Sequence, residues 1–173
     1  NLSVTIIKSF LTYYNIEFPK LTKLPEDTEE WHLLKKEDFN YIINDSTILH
    51  SGLIMFLLSS GMRINDALKL RIKDLMEATS EYHNFIEVND FIDKAPENMI
   101  GSWNFNPNKT KRYHIECQTF NSPESTNMLL QHFRKLKNEY YPQKNKQKNL
   151  KLTLTKDDPL FGSQKSYFKK PLT

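Results

Sequence analysis

The stretch from Thr47 to Arg63, TILHSGLIMFLLSSGMR, limits the fold more than any other part of the chain. From about Thr47 to Ser60 it is apolar nearly all round at helical spacing, which predicts a helix buried in the middle of a domain. Asp45 or Ser46 is expected to cap its start. Gly61 follows as the residue type that ends helices by turning left-handed. The longest unbroken apolar run, Leu53 to Leu58, is far below the roughly 18 residues that a membrane span needs.

The rest of the chain can be laid out around that helix. Leu2 to Tyr14 carries a helical stripe at residues 2, 6, 7, 10, 11 and 14. Asn15 to Thr28, with Pro19, Pro25 and a cluster of acids, reads as a linker. Glu37 to Ile43 is a short amphipathic helix with Phe39, Ile42 and Ile43 inward. Asn65 to Leu70, Lys73 to His83 and Val88 to Lys94 are further short helices. The pattern then changes to strand spacing at Ile100, Trp103 and Phe105, and again over Tyr113 to Phe120. Together these predict a β-hairpin with its tip at about Asn106 to Lys111. Ser122 is an N-cap with Pro123 at N1 and Glu124 in the first turn, opening a helix to about Tyr140. Residues 142–158 are Lys/Asn/Gln-rich and read as a long loop, and Pro159-Leu160-Phe161 as a hydrophobic anchor. The expected fold class is therefore mainly α with a small antiparallel hairpin, an α+β arrangement. The 4 glycines in 173 residues agree with helices and short loops.

Charge is distributed unevenly. The chain has 24 Lys/Arg and 21 Asp/Glu, a formal balance of +3. Residues 1–106 hold 10 basic and 16 acidic side chains (−6), and residues 107–173 hold 14 and 5 (+9). A basic half following an acidic half suggests that one face meets a polyanion. The competing reading is that Lys144, Lys146, Lys148 and Lys151 form a solvated loop. The single Cys117 excludes an internal disulfide and a Cys-rich zinc site, and is expected to be a small buried residue. The five histidines show no H-x-x-x-H pairing, so neither a metal nor another cofactor is expected. A reducing, cytoplasmic setting fits, with no membrane partner and no small-molecule substrate. The start, Asn1-Leu-Ser-Val, has neither Met nor a signal-peptide n-region and reads as a cut end.

Four segments, in order, carry a resemblance. Ser51 to Leu70 (SGLIMFLLSSGMRINDALKL) resembles the first signature of the tyrosine recombinases, or phage integrases: a buried helix ending in Gly-x-Arg-Ile-x-Glu/Asp before a short helix. Asn108 to His114 (NKTKRYH) lies in the expected hairpin, where that family keeps a catalytic lysine, often as Lys-Thr. Thr119 to Phe133 (TFNSPESTNMLLQHF) resembles a strand-exit and helix-start phrase of archaeal-type members. Asp158 to Phe161 (DPLF) resembles the phrase before the second signature. The match covers most of residues 35–173. It implies that residues 29–173 are the N-terminal part of a recombinase catalytic domain, incomplete at its C-terminus. Residues 1–28 would be the tail of a DNA-clamping (core-binding) domain with its linker.

The chemistry implied explains the residue types. Cutting a DNA phosphodiester without metal needs a nucleophile, a cation for the charge developing on the non-bridging oxygens, and an acid for the leaving 5′-oxygen. Arg63 is the candidate phosphate clamp, since a guanidinium holds two phosphate oxygens at once and never loses its charge. The alternative is a surface arginine paired with Asp66 one turn later. By resemblance Asp66 has a supporting role, orienting Arg63 or a neighbouring group. Lys109 is the candidate general acid at the hairpin tip, with Lys111 and Arg112 as rivals and further DNA-binding cations. Trp103, Phe105, Tyr113 and Phe120 are expected to pack the hairpin against the helices.

The family's second signature, His-x-x-Arg followed by His or Trp and then the nucleophilic Tyr, is absent. The residues three after each His are Lys35, Leu53, Ile86, Cys117 and Lys135. Tyr167 and the pair Tyr140-Tyr141 have no such box before them and are poor nucleophile candidates. The resemblance thus implies a recombinase that binds double-stranded DNA and works as a homo-tetramer, of which this chain holds half a site. A non-catalytic DNA-binding relative and a helical interaction protein, in which Arg63 and Lys109 are incidental, are the other readings.

Overall fold

The computed structural model describes residues 35–107 and 116–172. The chain divides into two compact units, Asn1–Leu34 and Lys35–Thr173. The first unit lies outside the described residues, and with it the expected helix at 2–14, the linker and the domain boundary expected at residue 28.

Among the described residues of the second unit the elements run α1 (Lys36–Asp45), α2 (Ile48–Ser60), α3 (Ile64–Ala67), α4 (Ile72–Ala78), a 3₁₀ turn at Ser80–Tyr82 and α5 (Val88–Lys94). Strands β1 (Gly101–Phe105) and β2 (Cys117–Asn121) follow, then α6 (Pro123–Lys135). A π-helical turn at Leu136–Tyr140 leads directly into α7 (Tyr141–Lys148). The unit is mainly helical with one two-stranded antiparallel sheet, as the periodicity predicted. The strands pair from Gly101 opposite Asn121 to Phe105 opposite Cys117.

α2 is the spine. It packs against α6 and β2, with α1 along its start. Phe56, fully buried near its middle, meets Trp103 edge-on at 5.2 Å and Phe161 at 5.5 Å. Edge-to-face pairs add about 1 kcal/mol each to the gain from burial alone. Gly61 ends the helix at φ 63°, the left-handed turn its sequence position foretold. Two expectations for this helix need correction. Its cap is Thr47, whose hydroxyl accepts the His50 N–H, because Ser46 is already used to close α1 through Ile43. Nor is it buried all round: Leu58 is 51% exposed and Ile48 is also open, since its partners cover one side only.

Other differences are local. Ile42 is exposed, so α1 turns only Phe39 and Ile43 partly inward. The helix expected over 73–83 ends at Ala78, where the Thr79 hydroxyl donates to the Leu75 carbonyl in the last turn. Phe120 is exposed and Cys117 only half-buried, whereas Trp103 is buried and Phe105 packs against the core. Tyr113 and the expected hairpin tip from Asn108 onward lie outside the described residues. Helix continues through 141–148, so the expected loop is shorter than 142–158. Pro142 has no N–H to donate and would clash with the carbonyl four residues back in a regular helix. The π turn just before it has already broken that ladder.

The segment after α7 returns to the start of α4. Ile72 N–H donates to Asp158 O, Lys73 N–H to Lys156 O and Leu160 N–H to Leu70 O. Leu160 and Phe161 are fully buried, so the Pro-Leu-Phe anchor is a core element. No helix among the described residues is long and apolar enough to cross a membrane.

Candidate functional site

The turn that carries Arg63 is held by hydroxyl groups. Gly61 swings the chain away from α2, the Met62 N–H donates to Ser60 Oγ at 3.2 Å, and Met62 is buried beneath. The Arg63 carbonyl then accepts from the N–H groups of Asp66 (2.9 Å) and Ala67 (3.0 Å), starting α3. Thr119 of β2 donates its hydroxyl to the Ser60 carbonyl at 2.6 Å, and the Ser122 N–H donates to Ser59 Oγ at 3.0 Å. The end of α2 and the outgoing hairpin strand are therefore tied at two adjacent points. Each such bond contributes about 1 kcal/mol net.

Arg63 itself is exposed and has no ion pair with any described residue. The simple Arg63–Asp66 pair expected as the alternative is thus not formed. Asp66 is 7% exposed and engaged rather than free. The two residues, three apart, face differently: the cation toward solvent and the carboxylate inward. Lys109, Lys111, Arg112 and His114 lie outside the described residues. What the structure gives of their hairpin is its base, paired as far as Phe105 opposite Cys117.

That base rests on a buried polar knot which the sequence did not announce. Asn121 is 2% exposed; its Oδ1 accepts from Trp103 Nε1 at 2.7 Å. Its Nδ2 lies within reach of the Ser122 carbonyl (2.8 Å), Ser125 Oγ (2.5 Å) and Thr126 Oγ1 (2.8 Å). Gly101, opposite Asn121, leaves room for this: a Cβ there would stand 2.3 Å from Asn121 Oδ1. The only sequence signal was the strand-exit phrase Thr119-Phe-Asn-Ser-Pro, in which Ser122 rather than Asn121 drew attention. Ser122 does cap α6, accepting the Ser125 N–H, with Pro123 in the first turn.

Tyr167 lies in a tight corner, at φ 53°, with its carbonyl accepting from the Tyr141 hydroxyl and its own hydroxyl 3.0 Å from Lys148 Nζ. Burial pushes the Tyr141 phenol well above its ordinary range, helped by the negative charge of Asp158. Among the described residues no three His, Cys, Asp or Glu side chains gather in an arrangement that could hold a metal ion.

At the other end of α2 lies a cavity of about 640 Å³. The start of α2, the end of α6 and residues 162–172 line it. His132 lies in this wall, 7% exposed, against the rings of Phe133 and Phe168. Burial, with Lys135 and His50 nearby, lowers its pKa to about 4, so it is neutral at pH 7. It shares the buried face of its helix with Leu129, Phe133 and Leu136, a placement the sequence reading did not single out. No family model, curated protein or solved structure matches this chain.

Proposed function

We propose that this chain is part of a tyrosine recombinase, a DNA-integrating enzyme. In the complete protein it would bind duplex DNA as a homo-tetramer, cut one strand through a 3′-phosphotyrosyl link and rejoin it to another. Residues 29–173 would belong to the catalytic domain and residues 1–28 to the end of the DNA-clamping domain. The work would be done in the cytoplasm, without metal or other cofactor.

The observation that carries this reading is the state of Arg63. An exposed guanidinium with no ion-pair partner among the described residues, on a turn tied by Ser59 and Ser60 to a hairpin strand, is fitted to hold a phosphate. The same hairpin carries Lys109, the proposed acid for the leaving 5′-oxygen, with Lys111 and Arg112 as further phosphate contacts. Asp66, buried on the same turn, would have a supporting role, orienting Arg63 or a neighbouring group. The His-x-x-Arg box and the nucleophile are absent from these 173 residues, so the proposal gives this chain half of the chemistry. The second reading is a non-catalytic relative that occupies DNA without cutting it.

The test is binding of the chain to a labelled duplex across a salt series. Affinity is expected to fall steeply with salt, and Arg63→Ala to flatten the log–log slope by about 1. Absence of binding at low salt would overturn both readings. In a parent protein carrying the remaining residues, Arg63→Ala and Lys109→Ala are expected to abolish cleavage of a nicked suicide substrate; cleavage by both would refute the site.

A further inference from the structure

The cavity at the N-terminal end of α2 has features of a ligand site. Its floor is apolar, from Leu49, Leu136, Phe168 and Leu172, while its rim carries Lys135, Lys165 and His50. Among the described residues no Asp or Glu lines it. It opens onto the first turn of a 13-residue helix that has no acidic residue in that turn. The partial positive charge of a helix start is favourably met by a carboxylate, and neither that turn nor the described cavity lining holds one.

A second observation is independent of the helix end. His132 is more than nine-tenths buried, lines the cavity, and makes ring contacts but no hydrogen bond with any described residue. Its nitrogens are not sealed in the core, for no fully enclosed side-chain nitrogen or oxygen lacks a partner among the described residues. With His132 in the cavity lining, its accessible nitrogens are open to a ligand there.

We infer that this cavity binds a small amphipathic anion, a carboxylate on an apolar body, with the head group held by Lys135, His132 and the start of α2 and the body against Leu136 and Phe168. The volume is within the roughly 300–1,000 Å³ of small-molecule pockets. The site does not depend on the recombinase reading. It lies at the opposite end of α2 from Arg63, a helix length of about 20 Å, so a ligand there would act on this unit without occupying the proposed DNA face.

Octanoate, 1-octanol and inorganic phosphate, titrated against the full chain while the His132 ring resonances are followed, test this. Octanoate is expected to give saturable shifts and to bind about tenfold tighter than octanol, the worth of one charge-assisted hydrogen bond. Lys135→Gln, an exposed change that leaves the core intact, is expected to weaken octanoate about tenfold, and His132→Phe by a similar factor. Equal affinity for octanol and octanoate, unchanged affinity in Lys135→Gln, or binding of phosphate with octanoate silent would each overturn the inference. So would an acidic, apolar peptide that binds where octanoate does not, since the cavity would then be a protein-docking groove.

Discussion

The two ends of α2 treat buried polar groups in opposite ways. At the C-terminal end Ser59, Ser60, Thr119 and Asn121 leave almost nothing unpaired, and the turn bearing Arg63 is fixed by them. At the N-terminal end His132 is also buried, yet its ring has no hydrogen-bond partner among the described residues, only a cavity beside it. A satisfied polar cluster specifies one geometry, which suits a group that must be rigidly placed. An unsatisfied one in a wall of an open cavity leaves binding capacity unused.

The comparison can be broken most sharply at Asn121. Asn121→Leu should cost about 3 kcal/mol, seen as a lowered urea midpoint. It strands the Trp103 N–H and takes a partner from the Thr126 hydroxyl, while the Ser125 hydroxyl keeps its bond to the Ser122 carbonyl. A loss under about 1 kcal/mol would mean that the knot is incidental to the hairpin.

The next effect belongs to the other end and depends on pH. His132 is held at about 4 by burial first, then by Lys135 and His50, with Lys165 in the same cavity and no acid among the described residues that line it. Its folded pKa is below the ordinary value of 6.5, so the unfolded chain binds the proton more readily. The resulting stability is complete above pH 6.5 and is lost as pH falls from there towards 4, by at most about 1.4 kcal/mol per pH unit. Urea melts at pH 7, 5.5 and 4.5 should show this loss in the native chain and its removal in His132→Phe. The same slope in both would put the acid sensitivity elsewhere.

Smaller changes sharpen the contrast. Thr119→Val should cost about 1 kcal/mol by removing the bond to the Ser60 carbonyl. In the DNA assay it should also weaken binding if that latch positions Arg63. Thr47→Ala, which removes the cap at the cavity end, should cost about 1 kcal/mol in the same melts and leave DNA affinity unchanged. Arg63→Ala should move stability by no more than about 0.5 kcal/mol, because the side chain is exposed and has no ion pair with a described residue. A large loss would show that Arg63 is a structural residue.

The sequence was informative where a local signal settles the outcome. Gly61 stops α2, Ser122-Pro123 starts α6, Val88 to Lys94 is a helix, and Leu160-Phe161 is core. Arg63 could be picked out because Gly-x-Arg after an apolar helix is a pattern in adjacent residues. What could not be read depends on contacts between distant segments. Asn121 matters because of Trp103 and Gly101 across the sheet, and Thr119 because of Ser60, 59 residues earlier. Helix beyond Pro142 was missed because a proline ordinarily stops one, and a π turn leaves no mark in composition. The cavity is formed by α2, α6 and residues 162–172, and no one of these reveals it alone.

The stitching of residues 156–160 to the start of α4 also sets an order for synthesis. The Leu70 carbonyl and the Ile72 and Lys73 N–H groups find their partners in Leu160, Asp158 and Lys156, and Phe56 its second aromatic neighbour in Phe161. As the chain leaves the ribosome, α2 and α4 therefore emerge long before the strip that closes over them. Until Phe161 has appeared, α6 and β2 can already cover much of α2, but the side of Phe56 that meets Phe161 and the start of α4 stay open, so this last strip completes the core.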